Sequence, residues 1–410
     1  MSHSRPDTSD LPEFPQSGRG ARADRADRAD QLGDSAPKRR GAVKKSRRFA
    51  TVATAGAVVG SLVLTLGGVY FWRHLNDNLD IQDLDGQLTN RPAKVAVDTG
   101  PQEPLNILVM GSDTRDGEGN NLDNLTGGGE RSDTTIMMHL SADRTFAYGI
   151  SIPRDTLVDR PDCLTEDGET IPGASDVQWN EAFGLGGPAC TMQQFEQITG
   201  IRLDHYVVLD FNGFRDMVDA IDGVEVCIPE PIIDPAHGIN IDAGTREVKG
   251  MEALNYVRAR YTLGDGSDIG RIKRQQAFIA AMAAKVVSAG TLARLDRVVG
   301  FLNAATKSLQ TDFPSTSSMA RTALSFQQIG LDKIKFITAP WQYSPEDPNR
   351  VEFLPEAEKL WRKVIADEPL TRGLQDGVIK ASDDVTGARS GGGGSGEKRA
   401  AEREAAGLCA

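Results

Sequence analysis

The stretch VRARYTLGDGSDIGRIKRQQ, residues 257–276, gathers Arg258, Arg260, Arg271, Lys273 and Arg274 into twenty positions of a chain whose formal net charge is −12. Guanidinium groups present planar forks of N–H donors that match phosphate oxygens. In a helix opening at Gly270, Arg271, Arg274 and Gln275 fall at i, i+3 and i+4 and share a face, continued by Phe278 and Met282. Two arginines near a helix N-terminus add to a macrodipole that is already positive, so an anion among them is favoured. The preceding GDGSD turn offers Asp268 as a cap or ligand. Arg258 and Arg260 close the previous helical segment and cannot share one face if it stays regular, so either the helix ends between them or one of them is solvated; Lys273 is expected to be solvated.

Three further clusters repeat this chemistry upstream. NILVMGSDTR carries Asp113 and Arg115, ERSDTTIMMHL carries Arg131 and Asp133, and ISIPRDTLV carries Arg154 and Asp155. Each singly suits a cap or a salt bridge. Together they supply carboxylates for a hard divalent cation and guanidiniums for phosphate.

Each cluster flanks an apolar run with the length of a buried strand, which places the charged groups at a sheet rim, where α/β proteins hold ligands. LNILVMG, TTIMMHL and TFAYGISI read as strands, the last two joined across SADR; DHYVVLDF, GVEVCIP and KIKFITAP follow the same pattern. TMQQFEQITG, NGFRDMVDAID, GMEALNYVRAR, GRIKRQQAFIAAMAAKVVSAG, residues 291–330 and LPEAEKLWRKVIAD have helical spacing. This alternation predicts an α/β fold with a mixed central sheet flanked by helices.

Charge is uneven along the chain. Twelve basic and seven acidic residues give the first 48 positions +5, whereas 34 basic against 51 acidic leave −17 beyond residue 72. So acidic a body argues against nucleic acid as a partner, since that affinity rests on broad phosphate neutralisation. Between them, Phe49–Trp72 is uncharged for 24 residues, enough for one transmembrane helix. Basic residues crowd before it and aspartates follow, so the N-terminus is expected in the cytoplasm and the rest outside, in a single-pass anchor at the cell membrane. The expected organisation is a disordered basic segment 1–48, a transmembrane helix 49–72, a stalk 73–103, an extracytoplasmic domain 104–370, and a flexible Gly/Ser linker with charged tail 371–410. All four cysteines follow the span, as an oxidising compartment permits. Cys163 and Cys190 bracket a Gly-rich loop and are expected to pair; Cys227 is equally compatible with a buried free thiol. No zinc-site spacing occurs.

NILVMGSDTR, RSDTTIMM, SIPRDT, DHYVVLDFNGF, IDGVEVCIP, EALNYVRAR and DGSDIGRIKRQQ stand in the order found in the LytR-CpsA-Psr (LCP) family, which the chain resembles over about residues 104–290. The resemblance implies a phosphotransferase that moves a glycopolymer with its attached phosphate from a polyprenyl-pyrophosphate carrier to a hydroxyl of peptidoglycan or a glycoprotein. By motif, Asp113 and Asp133 would hold Mg²⁺. Arg131, Arg154, Arg258, Arg260 and Arg271 would clamp phosphate oxygens beside Gln275. Arg115, Asp155, Asp268 and Arg274 would be supporting substrate contacts. Apolar strands would line a pocket for the prenyl chain. One departure is QWNEAF, where Gln178 and Trp179 precede Asn180 and a family lysine is missing, so Asn180 is expected to be structural. The Gly/Asn-rich interval between Asp113 and Arg131 is expected to border the site. Two alternatives use the same residues: a lipid-pyrophosphate pyrophosphatase, and a non-catalytic polymer-binding or regulatory protein.

Overall fold

A computed structural model describes residues 45–97, 100–112, 132–235, 238–259, 264, 266–387 and 394–409. The chain divides into two units, Met1–Val63 and Leu64–Ala410, with the boundary inside one long helix. That helix, α1 (Lys45–Asp77), is long and apolar enough over Thr51–Asp77 to cross a membrane, and none of its most apolar window is buried in protein. An apolar helix with no polar stripe has no other favourable surroundings than lipid or a protein core.

The second unit is built on a mixed eight-stranded sheet, as expected. Four of its strands are β1 (Asp80–Ile81), β2 (Leu105–Ser112), β3 (Ser132–Leu140) and β4 (Ala147–Ile152). The order runs β1, 309–311, 205–209, β2, β3, β4, 334–338, 379–380. β2 pairs antiparallel with β3 and parallel with 205–209, while β4 lies antiparallel to β3 and parallel to 334–338. All six residues of β4 are buried, the signature of a strand covered on both faces.

Strand alternation separates two layers of core. On one face Leu108, Met137, Ile150 and Tyr206 pack with Phe195 of α2 (Glu181–Thr199) and with Leu360 and Trp361 of the helix Glu356–Ile365. On the other, Leu140, Ile334 and Phe336 meet Ala280 of α5 (Asp268–Val287). A third cluster joins α3 (Phe211–Ala220), α4 (Gly250–Arg258) and α5 through Val218, Tyr256 and Phe278. α2 begins ten residues earlier than its periodicity suggests because it breaks at Gly186 and Gly187 and then resumes; it ends on Gly200 in the left-handed conformation, φ 72°.

Both ends of the domain depart from expectation. The segment expected as a stalk is part of the fold: β1 extends the sheet, Leu84 joins the core, and Arg91 bonds both carboxylate oxygens of Glu196. The segment expected as a free tail also docks. Residues Gly394–Ala405 are helical, Ala406 and Leu408 enter the core, and Cys409 is disulfide-bonded to Cys227 with Cα atoms 5.7 Å apart. Cys227 is therefore no free thiol. Cys163 and Cys190 form the other disulfide, Cα–Cα 5.3 Å.

Candidate functional site

Three parts of the chain, β3, the segment after β4 and the start of α5, converge on one polar cluster. Ser267 caps α5 by accepting from the Gly270 N–H at 3.0 Å, which fixes where the helix starts. Asp268 then occupies the first turn, where a carboxylate is favoured by the helix dipole. Arg271, one turn on, pairs with Asp268 at 2.6 Å and donates to the Asp133 carbonyl at 3.3 Å. Arg154, just past β4, reaches the Asp133 carboxylate at 2.5 Å, Asp268 at 3.3 Å and Asp155 at 3.4 Å. Burial by itself would lower the Arg154 pKa, but the carboxylates of Asp133, Asp268 and Asp155 outweigh it and hold the guanidinium more firmly charged.

Three members of this cluster, Asp133, Arg154 and Arg271, form the floor of a cavity of about 660 Å³. Asp133, Arg154, Arg258, Arg271 and Gln275 all line it. Arg258 ends α4, and Ala259 leaves the helix at ψ 135°, so the helix stops between Arg258 and Arg260. The Arg258 guanidinium lies 4.7 Å from the centroid of the Phe211 ring, a cation–π contact. Gln275 donates to the Val257 carbonyl at 3.4 Å.

The walls are apolar, and helices join the strands expected there. Phe211 and Phe214 of α3, Leu254 of α4, and Phe278 and Met282 of α5 stand beside Val109, Met110, Ile136, Leu209 and Ile239 from strands. Phe278 and Met282 continue the α5 face expected from the sequence, whereas Phe211, Phe214 and Leu254 were not singled out there, because an amphipathic helix shows the same spacing whether it faces a core or a cavity. α3 is positioned by Asp210, whose side chain accepts from the Gly213 N–H at 2.7 Å.

Several expected residues stand elsewhere. Asp113, Arg115, Arg131 and Arg260, with the Gly/Asn-rich interval, lie outside the described residues. Asp155 and Asp268 touch Arg154 without lining the cavity. Arg274 is corrected: it is fully buried and does not line the cavity. Its guanidinium instead donates to the Ala406 carbonyl at 2.9 Å and to the Ala259 carbonyl, tying the tail to the end of α4. Lys273 is corrected too, since it bonds the Gly377 carbonyl, and burial pushes its pKa down to about 8. Asn180 is buried, its N–H on the Arg154 carbonyl at 3.2 Å, a structural position.

A cavity joining guanidiniums and a carboxylate to a long apolar wall suits an amphiphile with an anionic head. Residues 76–362 match the LytR_cpsA_psr family, and the chain belongs to that family. It is 34% identical over 263 residues to the probable cell wall biosynthesis protein LcpB of Corynebacterium glutamicum, covering 62% of this chain and 56% of that one. It is 30% identical over 262 residues to the cell wall biosynthesis protein LcpA of the same organism, covering 57% and 49%. The chain thus spans about half the length of these relatives. Among solved structures it resembles gbs0355 of Streptococcus agalactiae, with TM-score 0.52 and 22% identity, covering 66% of this chain and 90% of that one. B. subtilis TagT is similar at TM-score 0.50 and 21% identity, covering 68% and 97%, and TagT has also been solved bound to LI-WTA. These two likenesses concern the fold.

Proposed function

We propose that the protein is a membrane-anchored transferase, which moves a glycopolymer with its attached phosphate from a polyprenyl-pyrophosphate carrier to a hydroxyl of a wall glycan. The observation that carries this is the cavity itself, a guanidinium floor continued by an apolar wall. The diphosphate would sit on Arg154, Arg258 and Arg271, and the prenyl chain would run along Phe211, Phe214 and Met282. Belonging to a family with cell wall biosynthesis proteins supports the same reading.

The acceptor oxygen forms a new P–O bond to the polymer-side phosphorus. The P–O bond to the bridging oxygen breaks, and the lipid monophosphate leaves with that oxygen; the hydroxyl proton passes to the monophosphate or to solvent. Such a transfer depends mainly on positioning and on neutralising oxygen charge, which arginines do. Asp133, a partly exposed carboxylate at the floor, is a hard oxygen donor of the kind that suits Mg²⁺, with Asp113 its expected companion. When bound there, Mg²⁺ would neutralise further pyrophosphate charge. The N-terminus would lie in the cytoplasm and the catalytic domain outside, a placement that two disulfides support.

The test is reconstitution of the full chain in vesicles with a polyprenyl-pyrophosphate oligosaccharide, Mg²⁺ and a glycan acceptor. Release of polyprenyl phosphate with covalent attachment to the acceptor is expected, and Arg258→Ala should greatly reduce both. Release without attachment would make the protein a pyrophosphatase, and retention of lipid without release would make it a binding protein.

A further inference from the structure

In an in-line displacement the nucleophile arrives opposite the leaving group. On the transferase reading the prenyl chain would lie along the apolar wall, which leaves the acceptor to reach Arg154 from outside the apolar lining. A polar track leads from Arg154 away from the cavity lining. Arg154 contacts Asp155, and Gln178, in the amide orientation that satisfies both neighbours, donates to Asp155 at 3.0 Å and accepts from Arg350 at 3.2 Å. Asp155, Gln178 and Arg350 all lie off the cavity lining.

The track ends at a two-stranded hairpin, Trp341–Tyr343 with Val351–Phe353, in which Tyr343 pairs with Val351 and Trp341 with Phe353. Two contacts fix this hairpin to the site. The Val351 N–H donates to the Asp155 carbonyl at 3.2 Å, and Val351 bridges Thr156. At its other end Phe353 sits against the core rings of Trp179 and Trp361, with centroids 6.5 and 6.0 Å away. The hairpin is therefore rigidly placed, yet it turns a pair of aromatic rings outward. Tyr343 is 53% exposed and Trp341 half-buried, their centroids 5.1 Å apart and their planes nearly perpendicular.

Exposed aromatic faces beside planar hydrogen-bonding side chains suit pyranose rings, whose C–H faces are apolar and whose edges carry hydroxyl and amide groups. Two inter-strand steps separate Asp155 from Tyr343, about 10 Å, the length of about two linked sugars. We infer that Trp341 and Tyr343, with Arg350 and Gln178, form the acceptor subsite for an amino-sugar glycan, a proposal that rests on the transferase reading above. The glycan lies across the hairpin and extends one hydroxyl along the track toward the phosphorus held by Arg154.

Trp179 and Trp361 are buried, so within the second unit's sheet domain Trp341 is the tryptophan open to a soluble ligand. The experiment titrates the full chain in detergent with a β-1,4-linked N-acetylglucosamine tetramer and follows tryptophan emission. Saturable change is expected in the wild type and in Tyr343→Phe, with half-saturation raised at least about tenfold in Tyr343→Ala and in Arg350→Ala. In the transfer assay the same two alanine variants should raise the acceptor KM by a similar factor and leave acceptor-free binding of polyprenyl phosphate unchanged. Thermal melting confirms that both are folded. A flat wild-type titration, or tetramer binding and acceptor KM unaltered in both variants, overturns the subsite. If lipid is processed normally in that event, only the subsite falls; if the wild type processes no lipid, the transferase reading falls instead.

Discussion

The cavity floor and the junction behind it use the same residue type to opposite ends. Arg271 and Arg274 stand one turn apart on α5, 3% and 0% exposed. Arg271 faces carboxylate: its partner Asp268 is shared with Arg154, within a cavity wide enough for another anion. Arg274 faces backbone carbonyls of Ala259 and Ala406, which hold it in place and offer nothing to exchange. A buried arginine thus becomes a ligand group or a rivet according to whether its partners can be displaced. Charged partners inside a cavity can be competed for by phosphate oxygens, whereas carbonyls of packed backbone cannot.

The contrast breaks most visibly at Arg271. Arg271→Ala should cut turnover of the lipid-linked donor by about 10²- to 10³-fold, the scale of removing one preorganised charge-stabilising donor. A variant retaining wild-type kcat/KM would remove Arg271 from the floor. The next largest effect is on stability. Arg274→Met leaves two buried carbonyls without their donor and should cost about 1–3 kcal/mol in denaturant unfolding, with donor affinity nearly unchanged. Loss of donor binding at unchanged stability would instead merge the two regions. The smallest effect concerns Lys273, between them. Its folded pKa, near 8, lies below the ordinary lysine value, so between these pH values the unfolded chain binds more protons. Stability should therefore rise as pH increases from about 8 toward 10. Lys273→Met lacks that gain, so the wild-type-minus-variant difference in Tm should grow over this window, and a flat difference would contradict the burial of the amine.

Much of the floor was legible because it depends on local periodicity. The apolar runs of β3 and β4 put Asp133, Arg154 and Asp155 at strand ends, and helical spacing put Arg271, Gln275, Phe278 and Met282 on one face. Arg274 lies at the margin of that same face, and what removes it from the cavity is a carbonyl 132 positions away. No local pattern encodes such a partner. The docked tail was hidden for a related reason: its composition is that of a solvated helix, and its attachment rests on Ala406, Leu408 and a disulfide. Gly264 records the closeness of this packing, since a Cβ there would meet the Ala405 carbonyl oxygen. The mixed sheet was predictable as a class. The inclusion of β1 within it was not, because two residues leave no periodic trace.

The bond between Cys227 and Cys409 also sets an order of events in the life of the chain. Cys163 and Cys190 are 27 residues apart and can close early, whereas Cys227 waits for a partner 182 residues downstream. At 5–20 residues per second that interval is roughly 10 to 40 seconds. Throughout it the arginine-bearing segment from α4 to α5 exists without its rear fastening, and one thiol stays open to any other cysteine it meets. Maturation of the site is thus a matter of biosynthetic timing: one of its fixtures is covalent and can form only after Cys409 has been made.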